Sequence, residues 1–171
     1  MTLSDLAWVI LFLLILPFGV VPFFGAPYVP SKYRLLIGFL KQLKVKEGQT
    51  LVDLGSGDGG VVKHVANTLG LKAIGIELNP FLVWFTRLRL LRLPEASVKQ
   101  GNIWKVKIPA EADIIYAFIM PKYMPRLAKK LETELTKPVV VVTYSFKFEG
   151  RRSFADSNGF YAYKFQPLAK K

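Results

Sequence analysis

Thr50-Leu51-Val52-Asp53-Leu54-Gly55-Ser56-Gly57-Asp58-Gly59-Gly60 is the stretch that decides the fold. Thr50–Leu54 reads as a buried strand, Gly55–Gly60 as a glycine-rich loop, and Val61–Leu69 as a helix stopped by Gly70. Glycines belong between such a strand and helix where the backbone must turn tightly and approach a ligand closely.

Working outward, the same alternation repeats. Lys72–Glu77 is a second strand. Asn79 caps a helix with Pro80 at its first position, and Pro94 ends it. Ala96–Gln100, Asp113–Phe118, Pro138–Phe146 and Phe160–Phe165 read as further strands, the last one following an Asn158-Gly159 turn. Pro121–Thr136 is helical, with Leu127, Leu131 and Leu135 on one face. Before the first strand, Ser31 is placed to cap a helix carrying Leu35, Leu36, Phe39, Leu40 and Leu43 at helical spacing. The pattern predicts an α/β fold: a doubly wound, mostly parallel sheet with helices on both faces. The final strands have no helix between them and should form an antiparallel hairpin.

The charges around the loop narrow its ligand. Gly55, Gly57 and Gly60 also satisfy G-x-G-x-x-G, so a dinucleotide site is a formal alternative. Asp53 and Asp58 would however set two carboxylates against a pyrophosphate, where open helix-terminal N–H groups are wanted. A cationic ligand fits better. S-adenosylmethionine carries a sulfonium and an ammonium, and D-x-G-x-G-x-G suits it. Glu77 ends the second strand and can accept both ribose hydroxyls. Asn102, after the third strand, is placed to meet the adenine amine.

The chain has 171 residues, about one domain, and its 51% hydrophobic content is ample for a core. It has no cysteine and a single histidine, His64. Disulfides, a Cys nucleophile and a Cys-based zinc site are excluded; a His-based triad and any metal site are not expected. Leu6–Phe24 is a run of 19 residues without a charge, long enough as a helix to rise about 28 Å, near the thickness of a bilayer core. Pro17, Gly19 and Pro22 interrupt it, so a half-span ending in an interfacial turn competes with a full span. No positive region precedes it and no Ala-x-Ala follows it, unlike a cleaved signal peptide. The expected organisation is a hydrophobic anchor with its Pro27–Pro30 connector at 1–30, followed by a catalytic domain at 31–171. Lys32, Arg34, Lys41 and Lys44 follow the anchor and place that domain on the cytoplasmic side. The domain holds all 24 basic residues against 11 acidic ones, which favours an anionic partner.

These elements together resemble the class I, seven-β-strand methyltransferases. More narrowly the chain resembles the small membrane-anchored protein-lysine methyltransferases that act on the c-subunit of mitochondrial ATP synthase and on the adenine nucleotide translocase. The likeness runs through the apolar segment, Pro27–Pro30 (PYVP), Val52–Gly59 (VDLGSGDG), Gly75–Val83 (GIELNPFLV), Ile103–Val106 (IWKV), Pro121–Leu131 and Tyr161–Tyr163. It implies transfer of methyl groups from S-adenosylmethionine to lysine ε-amines of a protein. Asp53, Gly55, Gly57, Asp58 and Gly59 would cradle the methionine part, Glu77 would hold the ribose, and Asn102 and Ile103 would border the adenine. Ser56 and Leu78, inside the same motifs, complete the expected cofactor set. Asn102 stands where relatives often carry Asp, and the short stretch from Phe146 to Phe160 implies a reduced substrate-side hairpin.

Two residues are candidates at the acceptor side. Asp113 and Tyr116 form a D-x-x-Y resembling that of another group of seven-β-strand lysine methyltransferases. Three apart on a strand, they point to opposite faces. An ordinary strand start plus a core tyrosine accounts for them equally. Methylation of RNA or DNA is the rival activity, supported by the basic surface and by Arg87, Arg89 and Arg92. The N/D-P-P-Y/F motif used on flipped bases is absent, since Tyr116-Ala117-Phe118-Ile119 stands in its place. An acidic or membrane-embedded protein is therefore the expected partner. The sequence assigns no oligomeric state.

Overall fold

A computed structural model describes residues 32–168, together with 2, 4–9 and 11–12 near the amino terminus. Residues 4–9 and 11–12 are helical. Most of the expected anchor, and Ser31 with its expected cap, lie outside the described residues. Among the described residues no helix is long and apolar enough to cross a membrane.

From Lys32 onward the elements are α1 (Tyr33–Gln42), β1 (Thr50–Leu54), α2 (Gly60–Leu69), β2 (Lys72–Glu77), α3 (Pro80–Leu90), β3 (Ala96–Gln100), β4 (Ile114–Ala117), α4 (Met124–Glu134), β5 (Val139–Tyr144), β6 (Ala155–Ser157) and β7 (Phe160–Phe165). They build one seven-stranded sheet in the order β3-β2-β1-β4-β5-β7-β6. β3, β2, β1, β4 and β5 run parallel; β7 is antiparallel to both β5 and β6.

β1 is buried along its whole length because both its faces are covered. Alternation sends Leu51 to one side with Leu36, Leu40, Val61, Val65 and Leu90 from α1, α2 and α3. It sends Val52 and Leu54 to the other, with Leu127 and Leu131 of α4. Beyond α4, residues 102–112 close that face. Lys130, buried, ties them down: its ammonium donates to the Val106 carbonyl at 2.8 Å and to both carboxylate oxygens of Glu134, one of which also accepts from the Ile108 amide at 3.1 Å.

The expected strand positions hold within a residue or two, with one addition. The antiparallel partner of β5 is β7, and the Asn158-Gly159 turn joins β7 to the three-residue strand β6. Three residues without periodicity carry no strand signal. α3 stops at Leu90, short of Pro94, because the chain turns there: the Leu93 amide bonds Leu90 and the Ala96 amide bonds Leu93.

Candidate active site

Strand order reverses about β1, whose neighbours β2 and β4 lead away in opposite directions. The crevice at the carboxyl ends of such strands is where ligands bind in open α/β sheets. The glycine loop lies there. Gly55, Gly57 and Gly59 have φ of 91°, 56° and 73°, a left-handed backbone that side chains resist. The Gly55 and Ser56 amides both donate to the Ile76 carbonyl of β2, at 2.9 and 3.1 Å.

α3 pins the loop from outside. The Thr86 hydroxyl donates to the Gly57 carbonyl at 3.3 Å, and Arg89 donates to the Asp58 carbonyl at 2.9 Å while pairing with its carboxylate. A Cβ on Gly59 would fall 2.3 Å from the Thr86 methyl. Gly75, within β2, is equally constrained: its Cβ would meet the Ser56 hydroxyl at 2.5 Å. Sequence reasoning missed Thr86, Arg89 and Gly75. Only the glycine inside a strand gave a readable signal, since it marks close approach. Arg89, grouped in sequence with a nucleic-acid surface, turns inward to hold the loop.

Three carboxyl groups gather at this edge. Glu77 accepts from the Asn79 amide at 2.7 Å and the Gly57 amide at 2.9 Å. Burial pushes its pKa up, against the pull of those two bonds. Asp53 is buried, and no hydrogen bond to its carboxyl group occurs among the described residues. Burial, with Glu77 and Asp58 nearby, raises its pKa to about 8. Asp58 is neutralised by Arg89 and also accepts from the Gly60 amide at 3.1 Å. The Ser56 hydroxyl and the Asn79 side-chain amide nitrogen are buried without a partner. Such groups cost about 1–3 kcal/mol each when left unpaired; Asn79 adjoins Glu77, while the Ser56 hydroxyl lies against Gly75 of β2.

This cradle fits S-adenosylmethionine: glycine backbone for close approach, and buried carboxyls for its positive charges and ribose hydroxyls. The family model described as the ANTKMT methyltransferase domain matches residues 53–154, from Asp53 of this cradle to the start of β6. The chain belongs to this family. Within it, an ATP synthase c-subunit lysine N-methyltransferase of Xenopus laevis is 38% identical over 125 residues, covering 71% of this chain and 54% of that protein. A protein-lysine N-methyltransferase of Saccharolobus islandicus is 30% identical over 131 residues, covering 72% of this chain and 79% of that one. The chain thus spans about half the length of the vertebrate relative and most of the archaeal one. Among solved structures, an RNA methyltransferase from Salinibacter ruber in complex with S-adenosyl-L-homocysteine superposes with a TM-score of 0.71 at 27% identity, covering 84% of this chain and 96% of that one.

The remaining expected residues of this ANTKMT-type domain fall as follows. Leu78 is half-buried beside Glu77, and Ile103 is buried against the α4 face. Asn102 lies just past β3 on the same edge; its side-chain oxygen accepts the Trp104 amide at 2.9 Å, keeping one lone pair for an adenine amine. Tyr116 is the register partner of Asp53 and is buried against Phe160. Burial, then Asp53 and Tyr144, raise its pKa, so it stays a neutral phenol. Phe118, Tyr144 and Phe146 extend the aromatic surface along the carboxyl edge, with ring centroids 5.2 and 6.2 Å from Phe118.

Asp113 requires correction as a catalytic candidate. It precedes β4 at the amino edge of the sheet, where its carboxylate accepts from the Thr50 amide at 2.8 Å and from Lys137 at 2.6 Å. Three residues of strand, about 10 Å, separate it from Tyr116 and the ligand crevice. Burial is the largest single influence and raises its pKa, but the Lys137 bond, the Thr50 bond and the Lys137 charge together outweigh it and hold the group below the usual carboxylate range. Its role is to fasten β1, β4 and the segment before β5. The sequence pattern failed because D-x-x-Y is indifferent to which end of a strand the Asp occupies.

Proposed function

We propose that this protein transfers methyl groups from S-adenosylmethionine to lysine ε-amines of a protein. The observation that carries it is the convergence of Asp53 and Glu77, two buried carboxyls of raised pKa, on a glycine loop at the switch of the sheet. The protein-lysine methyltransferase names of its relatives support the acceptor.

Asp53, Gly55, Gly57 and Gly59 would hold the methionine part, Glu77 the ribose hydroxyls, and Asn102 with Ile103 the adenine rim. The cofactor supplies an activated methyl on a sulfonium, so the chain's own work is positioning and deprotonation. A lysine of pKa about 10.4 is neutral to roughly one part in a thousand near pH 7, a deficit on the order of 4 kcal/mol. Phe118, Tyr144 and Phe146 desolvate an arriving ammonium and lower that cost. Tyr116, a phenol, accepts a hydrogen bond from the neutral amine and orients its lone pair; the proton leaves to solvent.

The basic domain favours an acidic or membrane-embedded target, with the uncharged Leu6–Phe24 segment holding it to a membrane and the domain on the cytoplasmic side. RNA methylation is the second reading, favoured by the Salinibacter ruber neighbour. The test is mass spectrometry of a membrane protein extract incubated with the purified protein and S-adenosylmethionine. Methyl-lysine should appear with the wild type and fall at least tenfold with Glu77→Ala, since a lost charged hydrogen-bond pair is worth about 1.5–3 kcal/mol. Equal signals from both proteins would refute the assignment of Glu77.

A further inference from the structure

α3 is apolar on both sides. Val83, Thr86 and Leu90 face the sheet and are buried. The opposite side carries Phe81, Trp84, Phe85, Leu88 and, just past the helix, Leu91, all exposed; Trp84 keeps 63% of its surface and Leu91 78%. These positions recur at helical spacing and make one continuous strip. Arg87 borders it and Arg92 follows its end, both exposed, and no acidic residue occurs between Glu77 and Glu95. Arg89 is occupied with Asp58.

We propose that this outer face of α3 lies in the interfacial layer of an anionic lipid bilayer. Trp, Phe and Leu flanked by Arg is the composition of helices that rest at the headgroup level, with rings at the acyl boundary and guanidinium groups on phosphates. The chain itself points to a membrane as the occupant. Residues 13–31, outside the described part, hold most of the uncharged segment and end at Lys32. The Lys32 ammonium sits 5.9 Å from the centre of the Tyr144 ring, at the carboxyl edge of the sheet. α3 also starts at that edge, at Pro80, with Leu78 and Asn79 between it and the end of β2 at Glu77. The uncharged segment thus joins the described domain, through Lys32, at the edge of the sheet from which α3 starts. The inference deepens the proposed function: α3 holds the glycine loop through Thr86 and Arg89, so its docking sets the cofactor cradle at headgroup height, within reach of a lysine on a membrane-embedded protein.

The absence of native cysteine makes the test clean. The full-length chain carrying Leu88→Cys, and separately Glu149→Cys on an exposed turn, is spin-labelled and mixed with phosphatidylcholine vesicles with or without phosphatidylglycerol. After flotation, collision with oxygen is compared with collision with a water-soluble nickel chelate. The expected result is an oxygen-to-nickel ratio several-fold higher at position 88 than at 149 in anionic vesicles, falling when phosphatidylglycerol is omitted. A floating protein whose position 88 is open to nickel overturns the role of α3 and leaves membrane attachment standing. A label shielded from both colliders shows the strip covered by the chain's own amino-terminal segment or a second copy, and overturns it too. An unchanged ratio without phosphatidylglycerol overturns the anionic preference. A protein that does not float overturns both the docking and the attachment. The readout involves no methyl transfer, so failure of the docking and failure of the proposed activity are distinguishable.

Discussion

Asp53 should surrender a proton when a cationic ligand binds. Its pKa of about 8 leaves it roughly ten-to-one protonated at pH 7 in the free protein. A sulfonium or ammonium in the cradle needs the carboxylate, so binding must first expel that proton. The cost is about 1.4 kcal/mol per pH unit below 8, or tenfold in affinity. Between pH 6 and 7 the ligand's own ammonium, with a pKa near 7.7–8.0, barely titrates. The dissociation constant for S-adenosylmethionine should then tighten about tenfold across that unit. Calorimetry at pH 6.5 in two buffers of different ionisation enthalpy should count close to one proton released. Asp53→Asn copies the shape of the protonated acid and should remove that proton from the count and flatten the pH dependence. The free protein shows the opposite sign. A native pKa above the unfolded one means the native state binds the extra proton, so Asp53 costs stability as pH rises from about 4 to about 8. Without ligand, Asp53→Asn should melt higher than wild type above pH 8. Equal proton release by wild type and Asp53→Asn would refute the reasoning.

Two further outcomes follow from the packing. Gly59→Ala combines a left-handed φ with a Cβ 2.3 Å from the Thr86 methyl and should lose about 2–4 kcal/mol in urea denaturation. Adding Thr86→Ala should recover the steric part; no recovery would show that the clash is not the cause. Asp113→Asn should leave turnover unchanged while lowering the melting temperature at neutral pH. Its native pKa is depressed, so its contribution is present above the ordinary carboxylate pKa and fades as pH falls through the native value. A melting difference that persists at pH 2, or a loss of turnover, would contradict the amino-edge placement.

The parallel core was legible because β1, β2 and their connections carry buried apolar runs bounded by glycine, Asn-Pro and proline. Local chemistry and tertiary demand agree there. The glycine loop and Glu77 were legible for the same reason: both sit in a strand context that fixes their position. What escaped the sequence was long-range. Arg89 and Asp58 are 31 residues apart, and nothing local says that one arginine of three turns inward. Asp113 was placed on the right strand but at the wrong end of the molecule for chemistry, since its partner Lys137 belongs to a segment 24 residues on. Helix α3 was legible as a helix capped by Asn79 and carrying three arginines. Only the fold shows that the sheet covers one side and that five large apolar residues remain outside.

The central claim is the chemical nature of the acceptor. Methyl transfer from radiolabelled S-adenosylmethionine into a total cell extract, divided between nuclease and protease, tests it most directly. The account predicts label that survives nuclease, is lost to protease, and elutes with methylated lysine after acid hydrolysis. Label released by nuclease would contradict it and assign the basic surface to a nucleic acid.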